Sequence, residues 1–419
     1  MTKVIEQVKT QEIEQGKEKR NVPKLRFREF KDEWKEKKLG SLGSFLKGNG
    51  LSKADLSYDG QECILYGELY TKYNEVITNI QSKTNLEDKN FIRSEINDVI
   101  IPSSGETAID IATASCVKKD NVILGGDLNV FRPNDVDGIF VSYQLNNQKR
   151  TEIAKIAQGA SVVHVYNEQL KKVKICITEI QEQKKIADFF SLVDKKIEKQ
   201  SEKVEALKTY KKGIMQKIFK QEIRFKDENG EEYPEWEEKR LGDVLNEVNE
   251  KTTVNNQYEI LSSTANGILK QSEYFNREIA SNNNIGYKVL RYNQIVLSPQ
   301  NLWLGNINYN DKFTSGIVSP SYKVFNIDCK YNSKYISYII KTNRMLNEYK
   351  NASEQGASVV RRNLNTDLFY DIKVIIPILE EQTKIADFFS TIDEKMDKEE
   401  KKLEELKVWK KGLLQKMFV

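Results

Sequence analysis

The sequence predicts an α+β chain in which two pseudo-symmetric domains are joined by two long antiparallel coiled-coil helices. Three observations predict this fold: an internal duplication, a heptad-like helix closing each copy, and strand-length apolar runs between turn residues. Residues 182–219 and 381–418 align without gaps and are identical at 22 of 38 positions. A match of that length indicates a duplicated unit, so one architecture is expected twice.

The duplication extends beyond the helices. Two further motifs occur at corresponding positions of the two copies. These landmarks are QGASVV, at 158–163 and 355–360, and WKEKKLG at 34–40, which corresponds to WEEKRLG at 236–242. Between these landmarks, residues 45–157 and 247–354 share a similar composition but little sequence. A duplicated frame that holds two unlike inserts indicates two tasks of the same kind.

The landmarks divide the chain into five segments. These are a charged N-terminal arm, 1–20; a first domain, 21–178; a first helix, 179–223; a second domain, 224–378; and a second helix, 379–419. Within the domains, short apolar runs such as DVIIPS (98–103) and QIVLSP (294–299) are separated by Gly, Asn and Asp. Such runs are typical of strands, and a helical stretch follows each set, which indicates α+β domains with a substantial sheet.

Each long helix carries an apolar seam whose spacing alternates between four and three residues, as in a coiled coil. The seam residues are Ile186, Phe190, Val193, Ile197, Val204, Leu207, Ile214 and Ile218 in the first helix, and Ile385, Phe389, Ile392, Met396, Leu403, Leu406, Leu413 and Met417 in the second. Gln200, Lys211, Glu399 and Lys410 are its polar positions. The two helices are expected to pair antiparallel with each other; the alternative is that each packs on its own domain.

The composition excludes several classes of protein. The chain has 66 Lys and Arg against 62 Asp and Glu, a net charge of +4, so any DNA-facing surface must be a local patch. Cys63, Cys116, Cys176 and Cys329 lie far apart beside a single His164, which does not make a structural zinc site. The charged N-terminus and the lack of an apolar run of about 20 residues favour a cytoplasmic protein.

No common catalytic motif is present in the sequence. It contains no G-x-x-x-x-G-K-[ST] phosphate loop and no N-P-P-Y-type or D-P-P-Y-type methyltransferase motif. His164 follows the first QGASVV, and Arg361 takes its place in the second copy. That exchange favours a polar or phosphate contact over a catalytic base, with a plain surface histidine as the alternative. The sequence therefore predicts a non-catalytic chain without a cofactor or metal.

The motifs together resemble the specificity subunit of type I restriction–modification systems, in particular firmicute members. The resemblance covers residues 21–419. It is carried by PKLRFREF…WKEKKLG (23–40) with its echo at 224–242, LYGELYTKY (65–73), the two QGASVV copies, and EQKKIADFF/EQTKIADFF opening the helices.

The resemblance implies that each domain is a target recognition domain that reads one half of a bipartite, asymmetric sequence in double-stranded DNA. It implies that the helices are conserved spacers that set the gap between the half-sites. Two methyltransferase subunits would bring S-adenosylmethionine and adenine methylation, and restriction subunits would bring ATP-dependent translocation and cleavage. This chain would hold no cofactor and would not contact a membrane.

Polar and aromatic residues at strand ends are the expected DNA contacts, because Asn and Gln pair with adenine edges and Arg pairs with guanine. They are Tyr70, Lys72, Tyr73, Ser103, Ser104, Glu106, Thr107, Ser161 and His164 in the first unit, and Gln300, Asn301, Trp303, Ser358, Arg361 and Arg362 in the second. For each residue the alternative is a structural role: a solvated turn for the Asn-rich loops, and a core position for Trp303.

Two other functions compete with the DNA-specificity subunit. One is a non-enzymatic coiled-coil adaptor whose two domains bind proteins, which would show no DNA affinity. The other is a self-contained nuclease or methyltransferase, which the missing motifs disfavour.

Overall fold

The computed structural model describes a chain of two compact units. The described residues are 8–10, 21–159, 162–274, 283–355 and 362–419. The first unit comprises residues 1–202 together with 400–419, and the second comprises residues 203–399. Each unit thus holds one of the two inserts and a part of each long helix.

A five-stranded sheet forms the centre of the first unit. The strands of the whole first unit are β1 Val8–Thr10, β2 Leu25–Phe27, β3 Lys35–Lys38, β4 Gly43–Lys47, β5 Gln61–Ile64, β6 Val76–Ile77, β7 Ser82–Thr84, β8 Val99–Pro102, β9 Ser104–Gly105, β10 Ser115–Val117, β11 Ile123–Leu124, β12 Leu128–Pro133, β13 Val163–His164 and β14 Lys174–Ile177. The central sheet has the order β4-β12-β8-β10-β6, and a second sheet has the order β11-β5-β7. Only β6 runs parallel to its neighbour in the central sheet.

The helices of the first unit cover this sheet. They are α1 Ala108–Ile111, α2 Gly138–Asn147, α3 Arg150–Ile156, α4 Asn167–Leu170 and the long α5 Ile180–Phe219. Helix α2 is buried from Gly138 to Leu145, because the sheet covers one side and the start of α5 covers the other. Its N-cap Asp137 accepts a hydrogen bond from the Phe140 N–H (2.9 Å), as such caps do.

The second unit repeats this plan with one strand fewer in its central sheet. Its strands are β15 Glu237–Arg240, β16 Leu245–Val248, β17 Leu261–Thr264, β18 Gly267–Lys270, β19 Lys288–Arg291, β20 Ile295–Leu297, β21 Ile307–Tyr309, β22 Ser315–Val318, β23 Lys323–Ile327, β24 Ser353–Gln355, β25 Arg362–Leu364 and β26 Lys373–Ile376. The order is β16-β23-β20-β21, and all of its pairs are antiparallel.

The helices of the second unit are α6 Leu241–Val244, α7 Gln271–Tyr274, α8 Ser333–Ile339, α9 Asn343–Asn351, α10 Thr366–Tyr370 and the long α11 Leu379–Met417. Helices α8 and α9 bury Tyr335 and Tyr349 in a core that also contains Phe369 and Phe389. Among the described residues, no helix is both long and apolar enough to span a bilayer.

In both units a segment of α5 packs antiparallel against a segment of α11. In the first unit Phe189 meets Trp409 (ring centroids 6.4 Å apart) and Phe190 meets Phe418 (6.0 Å). In the second unit Phe219 stacks on Phe389 at 6.2 Å. The fold class predicted from the sequence is therefore confirmed: two related α+β domains with two long antiparallel helices.

The seam residues face protein along both helices. Of the sixteen, nine are buried and seven are half-buried. Several of them, including Ile186 and Phe190, also belong to the core that contains Trp34 and Phe140. Packing on the helix partner and packing on the domain, which the sequence analysis treated as alternatives, are thus combined at these positions.

Two lysines at polar seam positions make half-buried ion pairs. In the first unit Lys410 Nζ lies 2.7 Å from Asp194 and 3.1 Å from Glu75, over the ring of Tyr143. Burial lowers the pKa of Lys410, but the two carboxylates outweigh it, so the net direction is upward. Burial raises the pKa of Asp194. In the second unit Lys211 bonds Asp393 over the ring of Tyr338.

The Glu-Gln pair that opens each long helix ties the helix to its domain. Glu182 accepts two hydrogen bonds from Arg26, each 2.7 Å, with both side chains buried. Gln183 accepts from the backbone N–H of Asp137 at 3.0 Å, which fixes the start of α2. The second unit repeats both contacts: Glu381 with Arg224, and Gln382 with the backbone N–H of Asn332.

Candidate nucleic-acid interface

In the first unit the end of β8 is held against the segment that follows QGASVV. Strand β9 pairs with β13, so that Ser104 lies opposite His164. The N–H of Val165 donates to the Ser103 carbonyl at 3.0 Å, and His164 and Gln158 exchange two backbone hydrogen bonds of 2.7 and 2.9 Å. Ser103, Ser104 and His164, which are 60 residues apart in sequence, are therefore neighbours.

The side chains at this strand end differ in exposure. Ser103 and Ser104 are buried, and the Ser104 hydroxyl has no hydrogen-bond partner among the described residues. Glu106 and Thr107 are exposed. Thr107 also caps α1, because its hydroxyl accepts from the Asp110 N–H at 3.2 Å and donates to the Asp110 carboxylate at 2.6 Å. Of these four candidates, Glu106 has the side chain best placed to meet a ligand.

Lys72 and Tyr73 lie near a buried carboxylate, Glu68, which was not among the candidates predicted from the sequence. Glu68 accepts from the Leu65 N–H (2.9 Å), from Lys72 Nζ (2.7 Å) and from the Ser82 hydroxyl. This pairing neutralises part of the Lys72 charge, although the Lys72 side chain stays 40% exposed. The Glu68 carboxylate therefore anchors the turn that carries Lys72 and Tyr73.

The two tyrosines remain protonated donors at neutral pH. Burial raises the pKa of Tyr70, and the nearby Tyr66, Asp110 and Glu106 raise it further. Burial also raises the pKa of Tyr73, whose hydroxyl accepts from the Gln81 N–H at 3.0 Å. The effect of the Asp110 and Glu106 carboxylates on the pKa of Tyr70 places the Tyr70 turn near the residues that follow β8.

An exposed aromatic residue beside His164 was missed by the sequence analysis. The Tyr166 ring lies 6.1 Å from the His164 ring with an interplanar angle of 12°, and its side chain is 49% exposed. Aromatic side chains of this kind contact bases or sugars in nucleic-acid interfaces. Only its position could have pointed to Tyr166 in the sequence: it lies two residues after His164, on the segment that follows QGASVV.

In the second unit four candidates come together after β20. The Arg362 N–H donates to the Gln300 carbonyl at 3.5 Å, and the Arg362 guanidinium lies 5.1 Å from the centre of the Trp303 ring. Asn301 is held by its backbone N–H, which donates to the Ser298 carbonyl at 3.1 Å. Trp303 is half-buried, and its indole N–H has no partner among the described residues. Gln300 is exposed.

The two patches occupy the same place in their domains. In both units the strand before the patch is followed by a polar turn, and that turn bonds the segment that returns after QGASVV. Their side chains differ: carboxylate, threonine, tyrosine and histidine in the first, and amides, tryptophan and arginine in the second. Ser161, Ser358 and Arg361 lie outside the described residues.

Neither patch is built for metal chemistry in the part of the chain that the structure describes, which contains no group of three or more His, Cys, Asp or Glu suited to a metal ion. The cysteines do not contribute either. Burial raises the pKa of Cys63 to about 11 and also raises those of Cys116 and Cys176, while Cys329 is exposed. Both patches offer hydrogen-bond donors, acceptors and aromatic faces.

The sequence profile of the type I restriction modification DNA specificity domain matches this chain twice, at residues 31–208 and 233–408. The chain is 27% identical to a putative type I restriction enzyme MjaX specificity subunit of Methanocaldococcus jannaschii, with 71% of each chain covered. It is 22% identical to the MjaVIII specificity subunit of the same organism, with 91% of each chain covered.

Solved structures share the fold. A type I restriction–modification S subunit from M. genitalium superposes with a TM-score of 0.59 at 17% identity, covering 95% of this chain and 99% of the other. A second chain, from a structure of a type I restriction–modification system described in terms of complex assembly and conformational transition, gives a TM-score of 0.53 at 14% identity, covering 92% and 97%.

Proposed function

Because this chain belongs to the family of type I restriction–modification DNA specificity domains, we propose that it is the subunit that reads DNA sequence for a type I restriction–modification complex. Each domain reads one half of a bipartite target. The single observation that carries this function is the duplicated domain whose two copies present different polar patches at the same place. Different patches read different bases, so the target is asymmetric.

The segments have separate roles in this proposal. Residues 21–178 and 224–378 are the two target recognition domains, and 179–223 and 379–419 are the spacer helices that set the distance between half-sites. The chain itself is not catalytic: two methyltransferase subunits dock on it and methylate adenine, and restriction subunits add ATP-dependent cleavage.

The chemistry of the patches supports two modes of reading. In the second domain, Gln300 and Asn301 offer the paired donor and acceptor that suit adenine, and Arg362 offers charge for a phosphate or a guanine edge. In the first domain, Glu106 is an acceptor suited to the cytosine amino group, and Lys72 supplies a phosphate contact. His164 and Tyr166 form the aromatic edge of that patch.

The seam residues support the spacer role, because in each unit they pack a segment of α5 against a segment of α11. The half-buried ion pairs of Lys410 and Lys211 add a register constraint, since sliding the helices by one turn would separate these lysines from Asp194 and Asp393. A rigid spacer turns two short recognition sequences into one long, specific site.

The test is to purify the chain with its methyltransferase partner and map methylated adenines genome-wide by single-molecule sequencing. We expect a bipartite, non-palindromic motif with a fixed gap; methylation restricted to continuous or palindromic sites would contradict the proposal. Replacing residues 45–157 with the corresponding insert of a relative provides the matched variant. One half-site should change while the other half-site and the gap stay the same.

A further inference from the structure

Comparison of the two units shows a sheet edge that pairs with a further strand in the first unit and, among the described residues, is unpaired in the second. In the first unit β6 lies beside β10: the N–H groups of Cys116 and Lys118 donate to the carbonyls of Glu75 and Ile77, at 2.8 and 2.9 Å. The Ser142 hydroxyl also donates to the Glu75 carbonyl, at 2.8 Å. This short strand therefore completes the central sheet next to the paired helices.

Strand β21 is the counterpart of β10 in the second unit. The N–H of Val117 donates to the Asp98 carbonyl, and likewise the N–H of Asn310 donates to the Gln294 carbonyl, both at 2.8 Å. Hydrogen-bonded and non-hydrogen-bonded pairs alternate in antiparallel strands, so Tyr309 directs its N–H and carbonyl away from β20. Among the described residues, β21 pairs with no second strand.

A cavity of about 920 Å³ lies at this open edge. Its walls come from β21 and the residues after it, the turn between β17 and β18, the α8–α9 connection, and residues 208–219 of α5 with Lys220 after it. An empty edge strand with a cavity beside it is a template for an additional extended chain.

The cavity is positively charged. Its lining includes the cations Lys212, Lys312, Lys341 and Arg344, together with Lys208, which pairs with Glu205 at 3.2 Å. Its two carboxylates are already paired with lysines, Asp393 with Lys211 and Asp311 with Lys334. Lys341 keeps part of its surface exposed, yet the surrounding protein lowers its pKa to about 8, and its ammonium donates to the Gly305 carbonyl at 3.1 Å.

Lys410 in the first unit occupies the position that Lys211 occupies in the second, and the two lysines differ in their carboxylate partners. Lys410 binds two carboxylates, Asp194 and Glu75, and Glu75 is the residue that precedes β6. Lys211 has the same aspartate and tyrosine partners, Asp393 and Tyr338, but within the described residues it makes no ion pair with a second carboxylate. Within the described part of the second unit, the strand and the acidic side chain that the first unit has at this place have no counterpart.

We propose that this cavity binds an extended acidic segment of a partner protein. The segment adds a parallel strand to β21 and places a carboxylate at Lys211, as Glu75 does at Lys410. Its expected pattern is that of residues 73–80, YNEVITNI: one carboxylate followed by β-branched residues, which fill the space beside the helices. This assigns a protein-docking role to the second domain only, beyond the reading of DNA.

The probe is a fluorescein-labelled, end-capped peptide with the sequence YNEVITNI, titrated into the full-length chain by fluorescence anisotropy. We expect saturable binding that weakens about 10-fold or more when Gln replaces Glu in the peptide, because a charge-assisted hydrogen bond at a shielded site is lost. This comparison leaves the chain untouched, so it does not depend on the folding of a variant.

Two chain variants locate the site. Lys211→Met should abolish the preference for Glu over Gln, while Lys407→Met, an exposed lysine of α11, should leave it intact. A scrambled peptide of the same composition that binds equally well would reduce the effect to general charge attraction and overturn the proposal. Displacement of the peptide by any DNA duplex would do the same in favour of a nucleic-acid site.

A last variant tests whether the cavity is occupied by a segment of a partner protein or by a segment of this chain. Residues 275–282 include Glu278 followed by Ile279, a pattern related to YNEVI. If replacement of 275–282 by a Gly-Ser sequence tightens peptide binding, the occupant is intramolecular and the partner assignment is wrong. Unchanged affinity supports a partner's segment. Neither result bears on the methylation pattern, so the DNA-reading function is tested separately.

Discussion

The buried pair of Arg26 and Glu182 gives the sharpest stability prediction for the first unit. Arg26 is 5% exposed and Glu182 is fully buried, and two hydrogen bonds of 2.7 Å join them. Glu182→Gln keeps the shape but leaves the guanidinium charge buried without a counter-ion. Breaking a buried ion pair in this way costs about 3–5 kcal/mol, which also agrees with two charge-assisted hydrogen bonds of roughly 1.5–3 kcal/mol each.

The matched control is Glu381→Gln in the second unit. Arg224 is 14% exposed and keeps two other acceptors, the carbonyls of Tyr233 and Pro234 at 3.1 and 2.7 Å. The loss there should be smaller, about 2 kcal/mol. Removing both charges of the first pair, with Arg26→Met and Glu182→Leu, should recover most of the stability, because no buried charge remains unpaired.

Hydrogen exchange read by mass spectrometry measures each unit separately. A loss of about 3 kcal/mol accelerates exchange of the most protected amides of the first unit by more than about 100-fold, while peptides from the second unit serve as the internal reference. The reasoning is refuted if Glu182→Gln changes exchange by less than about fivefold, or if the double variant is as unstable as the single one.

Three further predictions concern single side chains. Arg362→Ala should weaken DNA binding by the assembled complex and reduce the slope of log affinity against log salt concentration by about 1, since one phosphate contact is lost; an unchanged slope would argue against that contact. Because its pKa is lowered to about 8, Lys341 should be roughly half neutral at pH 8 and acylate much faster than Lys239, whose pKa is raised by Glu237; mass spectrometry of labelled peptides compares the two rates. A thiol reagent should modify Cys329 rapidly and the buried cysteines only on unfolding, and rapid release of more than one equivalent would contradict this.

The architecture could be predicted from the sequence because the duplication and the seam are periodic patterns. A periodic pattern indicates a helix or a repeated unit without any knowledge of distant contacts. It also pointed to Lys211 and Lys410 as polar breaks in the seam. It did not identify Asp194 or Asp393 as their partners, because each pair joins residues about 180 or more positions apart. Contacts of that separation are set by packing and leave no local signal.

The candidate interface was predicted less completely for the same reason. Ser104 and His164 become neighbours through strand pairing, which the repeated QGASVV only hinted at. Burial of Ser103 and the anchoring role of Glu68 depend on the surrounding turns, so a residue-type argument could not separate exposed readers from structural hydroxyls. Tyr166 was missed because an aromatic residue two positions beyond a motif carries no pattern of its own.

The division of the long helices between the units has a consequence for synthesis of the protein. The core of the first unit includes Leu414, Met417 and Phe418, and Phe418 contacts both Trp34 and Phe140. Those residues are translated after the whole second unit. The first unit therefore cannot close its core until residues 400–419 have been made, whereas residues 203–399 form a contiguous unit. We expect the nascent first unit to remain incompletely folded, with Trp34 and Phe140 accessible to solvent. Packing of residues 400–419 then completes its core.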